Sequence, residues 1–152
     1  MEVKIKLYDG IMPHKQHTGD AAFDLYAPRD IRLKPGRQVI DLGFALELPH
    51  GYAATIQPRS GLSIKGMEAK INSVTHNIDA DVIRGLVDEC YRGHVGVILK
   101  VVEPDARFYI IPKGTRIAQM QIVSVPDVEL SEVEALSETD RGQNGFGSTG
   151  TK

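Results

Sequence analysis

The stretch Lys34-Pro35-Gly36-Arg37-Gln38-Val39-Ile40-Asp41-Leu42-Gly43-Phe44-Ala45-Leu46-Glu47-Leu48-Pro49-His50-Gly51-Tyr52-Ala53-Ala54-Thr55-Ile56 decides the kind of fold this chain makes. Its long apolar run lies between two triplets, Lys34-Pro35-Gly36 and Pro49-His50-Gly51, each with the proline and glycine that turns favour. Between them Val39 to Leu48 holds one or two strands, and Tyr52 to Ile56 begins another. Upstream, Val3-Lys4-Ile5-Lys6-Leu7 alternates apolar and charged side chains in the manner of a half-buried strand, and Asp9-Gly10 breaks it. In Thr18 to Ala27, Phe23, Leu25 and Ala27 share one face, which leaves Asp24 and Tyr26 pointing the other way. Short strands divided by frequent turns predict an all-β sandwich or barrel.

Two places invite helix. Ser60 to Lys65 fits a single turn after Pro58-Arg59, and Leu130 to Leu136, with its alternating glutamates, is ambiguous between strand and helix. With 152 residues and no long linker, the chain makes one β domain over residues 1–140. Residues 141–152 follow it as a flexible C-terminal arm.

A formal net charge of −2 without a basic stripe argues against nucleic acid or a membrane surface as partner. Any phosphate must therefore be met by local groups. The single cysteine, Cys90, excludes an internal disulfide framework and fits a reducing compartment, where it would be a buried or half-buried free thiol. No apolar run approaches the length of a membrane span and no leader is evident, so the expectation is a soluble, cytoplasmic protein, or one of the host cytoplasm if viral.

The chemistry-bearing residues gather in the breaks. Pro58-Arg59-Ser60-Gly61-Leu62 puts a guanidinium, a hydroxyl and a glycine where a strand gives way to a helical turn, a place suited to a phosphate. A capping Ser60 and an Arg59 paired to a surface carboxylate account for the same residues. Gly85 to Leu99 reads as a hairpin, two apolar strands around the acidic, aromatic turn Asp88-Glu89-Cys90-Tyr91. A carboxylate at a strand end can serve as general base there, and a tyrosine three residues on can pack against a sugar or base. Pro112 to Val123 is a turn feeding a strand, with Ile117, Gln119 and Gln121 on one face. The tail Arg141-Gly142-Gln143-Asn144-Gly145-Phe146-Gly147-Ser148-Thr149-Gly150 offers a planar donor fork, a ring and two hydroxyls on a glycine-rich backbone. It reads either as an arm for a ligand that is part ring and part polyphosphate, or as a disordered terminus.

Five segments, in order, resemble the motifs of the trimeric dUTP pyrophosphatases (dUTPases): Gly19 to Ala27, Pro58 to Gly66, Gly85 to Gly93, Lys113 to Met120 and Arg141 to Gly150. The likeness spans nearly the whole chain. It implies a jelly-roll-like β-sandwich or distorted barrel, a homotrimer with sites shared between subunits, and a C-terminal arm that closes each site. The implied reaction is hydrolysis of dUTP to dUMP and pyrophosphate, with Mg²⁺ bridging the phosphates.

Carried over by position, the resemblance makes Asp88 the base that activates water for attack on the α-phosphorus. Tyr91 would stack beneath the deoxyribose, and the backbone from Gly85 to Tyr91 would read uracil. Arg59, Ser60, Gly61 and Gln119 would hold the phosphate chain from a neighbouring subunit. Asp24 would act on the water shell of the metal or brace the site. In the arm, Arg141, Gly147, Ser148 and Thr149 would meet the substrate, the hydroxyls and Arg141 at the γ-phosphate, while Phe146 covers the uracil.

The chain departs from the family pattern in its spacing. The interval from Ser60 to Asp88 is longer than usual, with extra residues placed near Met67 to Asn77 as a longer loop. Asn77 to Gly85 itself echoes the third motif and makes Asp79 a rival to Asp88, although only the later copy carries the aromatic Tyr91. Cys90 stands where a second acid is common, and Asn144 where a glycine is common. Two alternatives accompany the dUTPase reading. A dCTP deaminase of the same fold would need a glutamate base at the pyrimidine C4, and a non-catalytic nucleotide sensor or protein-binding relative would need none.

Overall fold

The structure, a computed structural model, describes residues 1–102 and 108–143. In chain order its strands begin with β1 (Lys4–Leu7), β2 (Phe23–Tyr26), β3 (Ile31–Leu33), β4 (Gly36–Glu47) and β5 (Tyr52–Gln57). Helix α1 (Ser60–Lys65) follows, then β6 (Met67–Ile71), β7 (Val74–Ile78), β8 (Ala80–Ile83) and β9 (Gly85–Val87). The described elements end with β10 (His94–Val101), β11 (Tyr109–Ile111) and β12 (Arg116–Ser124). The all-β expectation holds, with one six-residue helix at the place read for it.

The strands form three four-stranded sheets in the orders β1-β4-β10-β8, β3-β11-β6-β7 and β2-β12-β5-β9, and every pairing is antiparallel. They do not close into one barrel. One core lies among them, with Leu25, Leu33, Leu42, Phe44, Ile56, Met67, Val97, Leu99, Ile111 and Ile117 all but sealed from solvent. Each such side chain contributes about 1.5–3 kcal/mol through removal from water. β10 shows the cause plainly: Val95, Val97, Leu99 and Val101 alternate inward, which is the period a strand imposes.

Several segments differ from the sequence reading. Of the one or two strands read in Val39 to Leu48, the structure forms one, the twelve-residue β4, which begins earlier at Gly36 and ends at Glu47. It keeps its partner through a bulge, since His94 pairs with Ala45 and Gly96 with Asp41, leaving Val95 against Leu42, Gly43 and Phe44. Gly85 to Leu99 is not a hairpin of paired strands: β9 pairs with β5, and β10 with β4 and β8. The turn between β9 and β10 is a crossing from one sheet to another. Met67 to Asn77 is not a loop but most of the β6–β7 hairpin, in register from Met67↔Ile78 to Ile71↔Val74. Leu130 to Leu136 forms neither strand nor helix and is exposed throughout.

Gly66 ends α1 and turns the chain into β6. Its N–H donates to the Leu62 carbonyl at 2.8 Å, its φ is +79°, and a Cβ there would stand 2.5 Å from the Ile78 carbonyl oxygen. Both the conformation and the contact require glycine. Gly66→Ala is therefore expected to cost about 2–3 kcal/mol, read from the midpoint of urea unfolding at unchanged slope.

Candidate active site

Strand register brings the first group of residues together. Gln119 of β12 pairs with Asp24 of β2 on one side and Gln57 of β5 on the other, so these three stand in a row across one sheet. Pro58 then ends β5, since it has no N–H to continue the ladder, and Arg59 follows as the residue before α1. The Arg59 Nε donates to Asp24 Oδ1 at 2.8 Å, and Arg116 Nη1 lies 3.4 Å from Asp24 Oδ2. Gln16 Nε2 donates to the same Oδ2 at 3.0 Å. Gln119 Nε2 donates to the Pro58 carbonyl at 2.9 Å, tying β12 to the start of the α1 turn.

Asp24 shares a side with Tyr26, as alternation predicts, and is nevertheless only 9% exposed. A buried carboxylate persists as an anion only with partners, and here two guanidiniums and an amide supply them. The partners come from elements remote in sequence, so strand periodicity gave no sign of them. Tyr26 shares the cluster, its hydroxyl 2.9 Å from Gln16 Nε2 and its ring stacked on His14. Burial, and next the charge of Asp24, push its phenol up.

Arg59 does pair with a carboxylate, but a buried one. Ser60 is not the cap of α1: Arg59 holds that position and makes no side-chain cap bond. The arginines stand against Asp24 beside a cleft of about 350 Å³ lined by Asp20, Gln57, Arg59, Ser60, Gly61 and Gln119 among others. Lys65 lines the neighbouring cleft with Arg59 and Arg116. Such a place attracts an anion.

The second group lies along β5 from the first. Gly85 pairs with Ile56 and Val87 with Ala54, which places Asp88 at the exposed end of β9. The Tyr91 N–H donates to the Asp88 carbonyl at 3.1 Å, closing a turn. Tyr91 folds back, its hydroxyl donating to the His94 carbonyl at 3.1 Å, and a Cβ on Gly93 would collide with its ring. His94 Nδ1 in turn meets Asp41 Oδ2 at 2.9 Å. Burial works against the Asp41 charge, yet the Gly43 N–H and His94 hold its carboxyl below the usual range.

The residues predicted from sequence thus fall into two clusters. Asp24, Arg59, Ser60, Gly61 and Gln119 share one, while Gly85, Asp88 and Tyr91 share the other. Asp79 sits between β7 and β8, against the end of α1. Arg141 lies exposed in a turn that Gly142 N–H closes on Thr139. Phe146, Gly147, Ser148 and Thr149 lie outside the described residues. Cys90 is exposed, not buried, because it rides on the outside of the Asp88 turn. Ile117 does not share a face with Gln119, since a register shift between Arg116 and Ala118 leaves Ile117 in the core and Gln119 at the cleft. Sequence reasoning passed over Arg116, although it stands in the fourth motif. Gln16, His50 and Glu89 carried no periodic signal.

The all-β chain thus sets an aspartate-steadied arginine pair beside a cleft, a combination suited to an anion. Comparison with known proteins places it further. Residues 9–150 match the dUTPase family, and the chain belongs to that family. The deoxyuridine 5′-triphosphate nucleotidohydrolase of Trichodesmium erythraeum is 41% identical over 99% of this chain and 100% of its own length. That of Gloeothece citriformis is 42% identical over 92% and 89%. Among solved structures, the dUTPase of Staphylococcus bacteriophage 80alpha with dUpNHpp superposes with a TM-score of 0.79 at 28% identity, covering 98% of each chain. A dUTPase variant of phage phi11 of S. aureus, described as coordinating a structural Mg(II) ion, shares the fold with a TM-score of 0.71 at 24% identity, over 89% of this chain and 98% of its own.

Removing the carboxylate at the centre of the first cluster leaves Arg59 and Arg116 facing each other. Asp24→Ala should cost about 2 kcal/mol after allowance for solvent around the half-exposed guanidiniums. Urea unfolding of the two proteins at neutral pH measures it, and Asp24→Asn should recover part of the loss through its amide oxygen.

Proposed function

We propose that this chain hydrolyses dUTP to dUMP and pyrophosphate, as a homotrimer whose sites combine residues of neighbouring subunits. The observation that carries the reading is the Asp88 turn: an exposed carboxylate at a strand end with a tyrosine folded back beside it. It stands in a chain 41% identical from end to end to a dUTP nucleotidohydrolase. Asp88 accepts a proton from water as that water attacks the α-phosphorus. The bond to the β-bridging oxygen breaks, and pyrophosphate leaves. Tyr91 presents its ring face to the deoxyribose, and the backbone from Gly85 to Tyr91 reads the uracil edge. Arg59, Ser60, Gly61 and Gln119 take the phosphates, with Arg59 aimed by Asp24.

The length of β5 supports shared sites. Val87 pairs with Ala54 near its middle, and Arg59 lies past its far end. At about 3.3 Å per residue the water activator and the phosphate grip of one chain are on the order of 15 Å apart, too far to act on one phosphate. A neighbour supplying the grip removes the difficulty. Exposed apolar side chains also favour assembly, notably Leu130 at 93% and Leu136 at 87%. In this reading residues 1–140 are the catalytic domain. Residues 141–152 are the arm, with Arg141, Ser148 and Thr149 at the γ-phosphate, Gly147 close to the nucleotide, and Phe146 over the uracil.

Both oxygens of Asp24 already accept from Arg59, Arg116 and Gln16, and among the described residues no three His, Cys, Asp or Glu side chains group to hold a metal. Mg²⁺ therefore fits as an ion carried on the phosphate oxygens, where it would neutralise charge on the leaving group. Asp24 then serves chiefly as the brace for Arg59. Among the described residues no helix is long and apolar enough to cross a membrane, and a cytoplasmic place suits a nucleotide hydrolase.

With Mg²⁺ present, pyrophosphate release should be far faster from dUTP than from dTTP, dCTP or UTP. Ammonia released from dCTP would instead mark a deaminase, and binding without turnover a sensor. Asp88→Asn should lower kcat by about 10³-fold and leave nucleotide binding in place, whereas the same loss from Asp79→Asn alone would move the base to Asp79. Mixing Arg59→Ala with Asp88→Asn, then unfolding and refolding them together, should restore activity if sites are shared. Sites contained in one chain would stay silent.

A further inference from the structure

The residue after Asp88 does not follow it into solvent. Glu89 turns back to the β4–β5 turn, where its Oε2 accepts from the Gly51 N–H at 2.6 Å and its Oε1 meets His50 Nδ1 at 3.0 Å. These contacts join segments 38 and 39 positions apart. The turn they grip is itself fixed: Gly51 has a φ of +77°, and its carbonyl accepts from the Val125 N–H at 2.7 Å. One carboxylate therefore connects the Asp88 turn to the turn before β5, which Val125, just past β12, holds in place.

We propose that Glu89 is a positioning residue for Asp88: by spanning the Gly51 N–H and the His50 imidazole it fixes the direction from which the Asp88 carboxylate meets the water it activates. This rests on Asp88 being the base. At the Asp88 end the other restraints are internal to the turn, namely Tyr91 N–H on the Asp88 carbonyl and Arg92 Nη1 on the carbonyls of Glu89 and Tyr91. They close the loop but do not hold it against the sheet. Among the described residues the Glu89 side chain does so at the Asp88 end, as His94 does on Asp41 at the other. A reacting group displaced by an ångström loses a large part of its rate, so an anchor one residue from the base bears on kcat.

The charged groups facing this contact are few. Glu89 is held below the usual carboxylate range by His50 and then the Gly51 N–H, with Arg92 adding a smaller effect. His50 is raised by Glu89, with a lesser contribution from Asp127. The raised histidine contributes below its folded value and loses its effect as pH rises through it. The lowered glutamate contributes above its folded value and loses its effect as pH falls through it. The ion pair is complete only between the two.

The test compares Glu89→Ala, Glu89→Gln and Asp88→Asn in the full chain with dUTP and Mg²⁺. Glu89→Ala should lower kcat by about 10- to 100-fold with KM and thermal midpoint unchanged. Glu89→Gln should return kcat to within about threefold, because its amide oxygen still accepts from Gly51 N–H. The Gly51 amide proton should shift upfield in Glu89→Ala only. The His50 titration followed by NMR should have a lower midpoint in both Glu89 variants. Wild-type kcat in Glu89→Ala, a loss confined to KM, or a loss that Glu89→Gln does not recover overturns the assignment. An Asp88→Asn enzyme that still turns over refutes the base itself, whereas an inactive Asp88→Asn beside a fully active Glu89→Ala refutes only the anchor.

Discussion

The carboxylate of Asp24, enclosed by two arginines, is the contact on which the proposed phosphate side of the site depends. Its burial demands cations, and the cations that answer come from the end of β5 and the start of β12. The pairing therefore does two things at once. It joins the end of β5 and the start of β12 to β2, and it holds by its Nε the Arg59 that lines the cleft. An arginine held this way gives up its rotamer freedom on folding and not on binding. Nearly every other residue of the first cluster is positioned by the same register, because a one-residue slip of β12 would move Gln119 to the opposite face.

How much of this was legible in the sequence depends on the range of the interaction. The strands were read from alternation and from the Pro-Gly turns, and α1 from its place after Pro58; these are local signals. Alternation puts Asp24 on the face of Tyr26 but cannot show that face to be covered, because it does not see Arg59, Arg116 and Gln16 arriving there. Gly85 to Leu99 was read as a hairpin because two apolar runs about a tight turn look the same whether the strands pair or cross between sheets. Only the partners, β5 for one and β4 for the other, distinguish the cases.

The β6–β7 hairpin is a different kind of miss, since its signals are local. Met67, Ala69 and Ile71 alternate inward against exposed Glu68 and Lys70, and Asn72-Ser73 adopts φ of +48° and +68°, the conformation of a two-residue hairpin turn that asparagine tolerates. The segment was placed by comparing its length with the dUTPase spacing, which marks extra residues without saying what they form. Periodicity, applied there as it was to Val3–Leu7, reads them as strands. Motif spacing locates function well and is silent on the structure between motifs.

The site so assembled has a rigid half and an open half. The Asp88–His94 turn is bracketed by two carboxylate–imidazole contacts, Glu89 with His50 at its start and His94 with Asp41 at its end. Each ties the turn to a different part of the β4–β5 region, and in both the carboxyl is held below its usual range. Acid weakens both brackets together as the carboxylates protonate, whereas alkali reaches the first through the raised His50. Asp88 itself remains exposed between them. A base in contact with bulk water is weakly directed, so the brackets fix where the carboxylate points while enclosure must come from outside the turn. In the proposed reading the single chain gives the direction and a neighbour and arm would give the seal, so that substrate would enter an open site without loosening the proposed base.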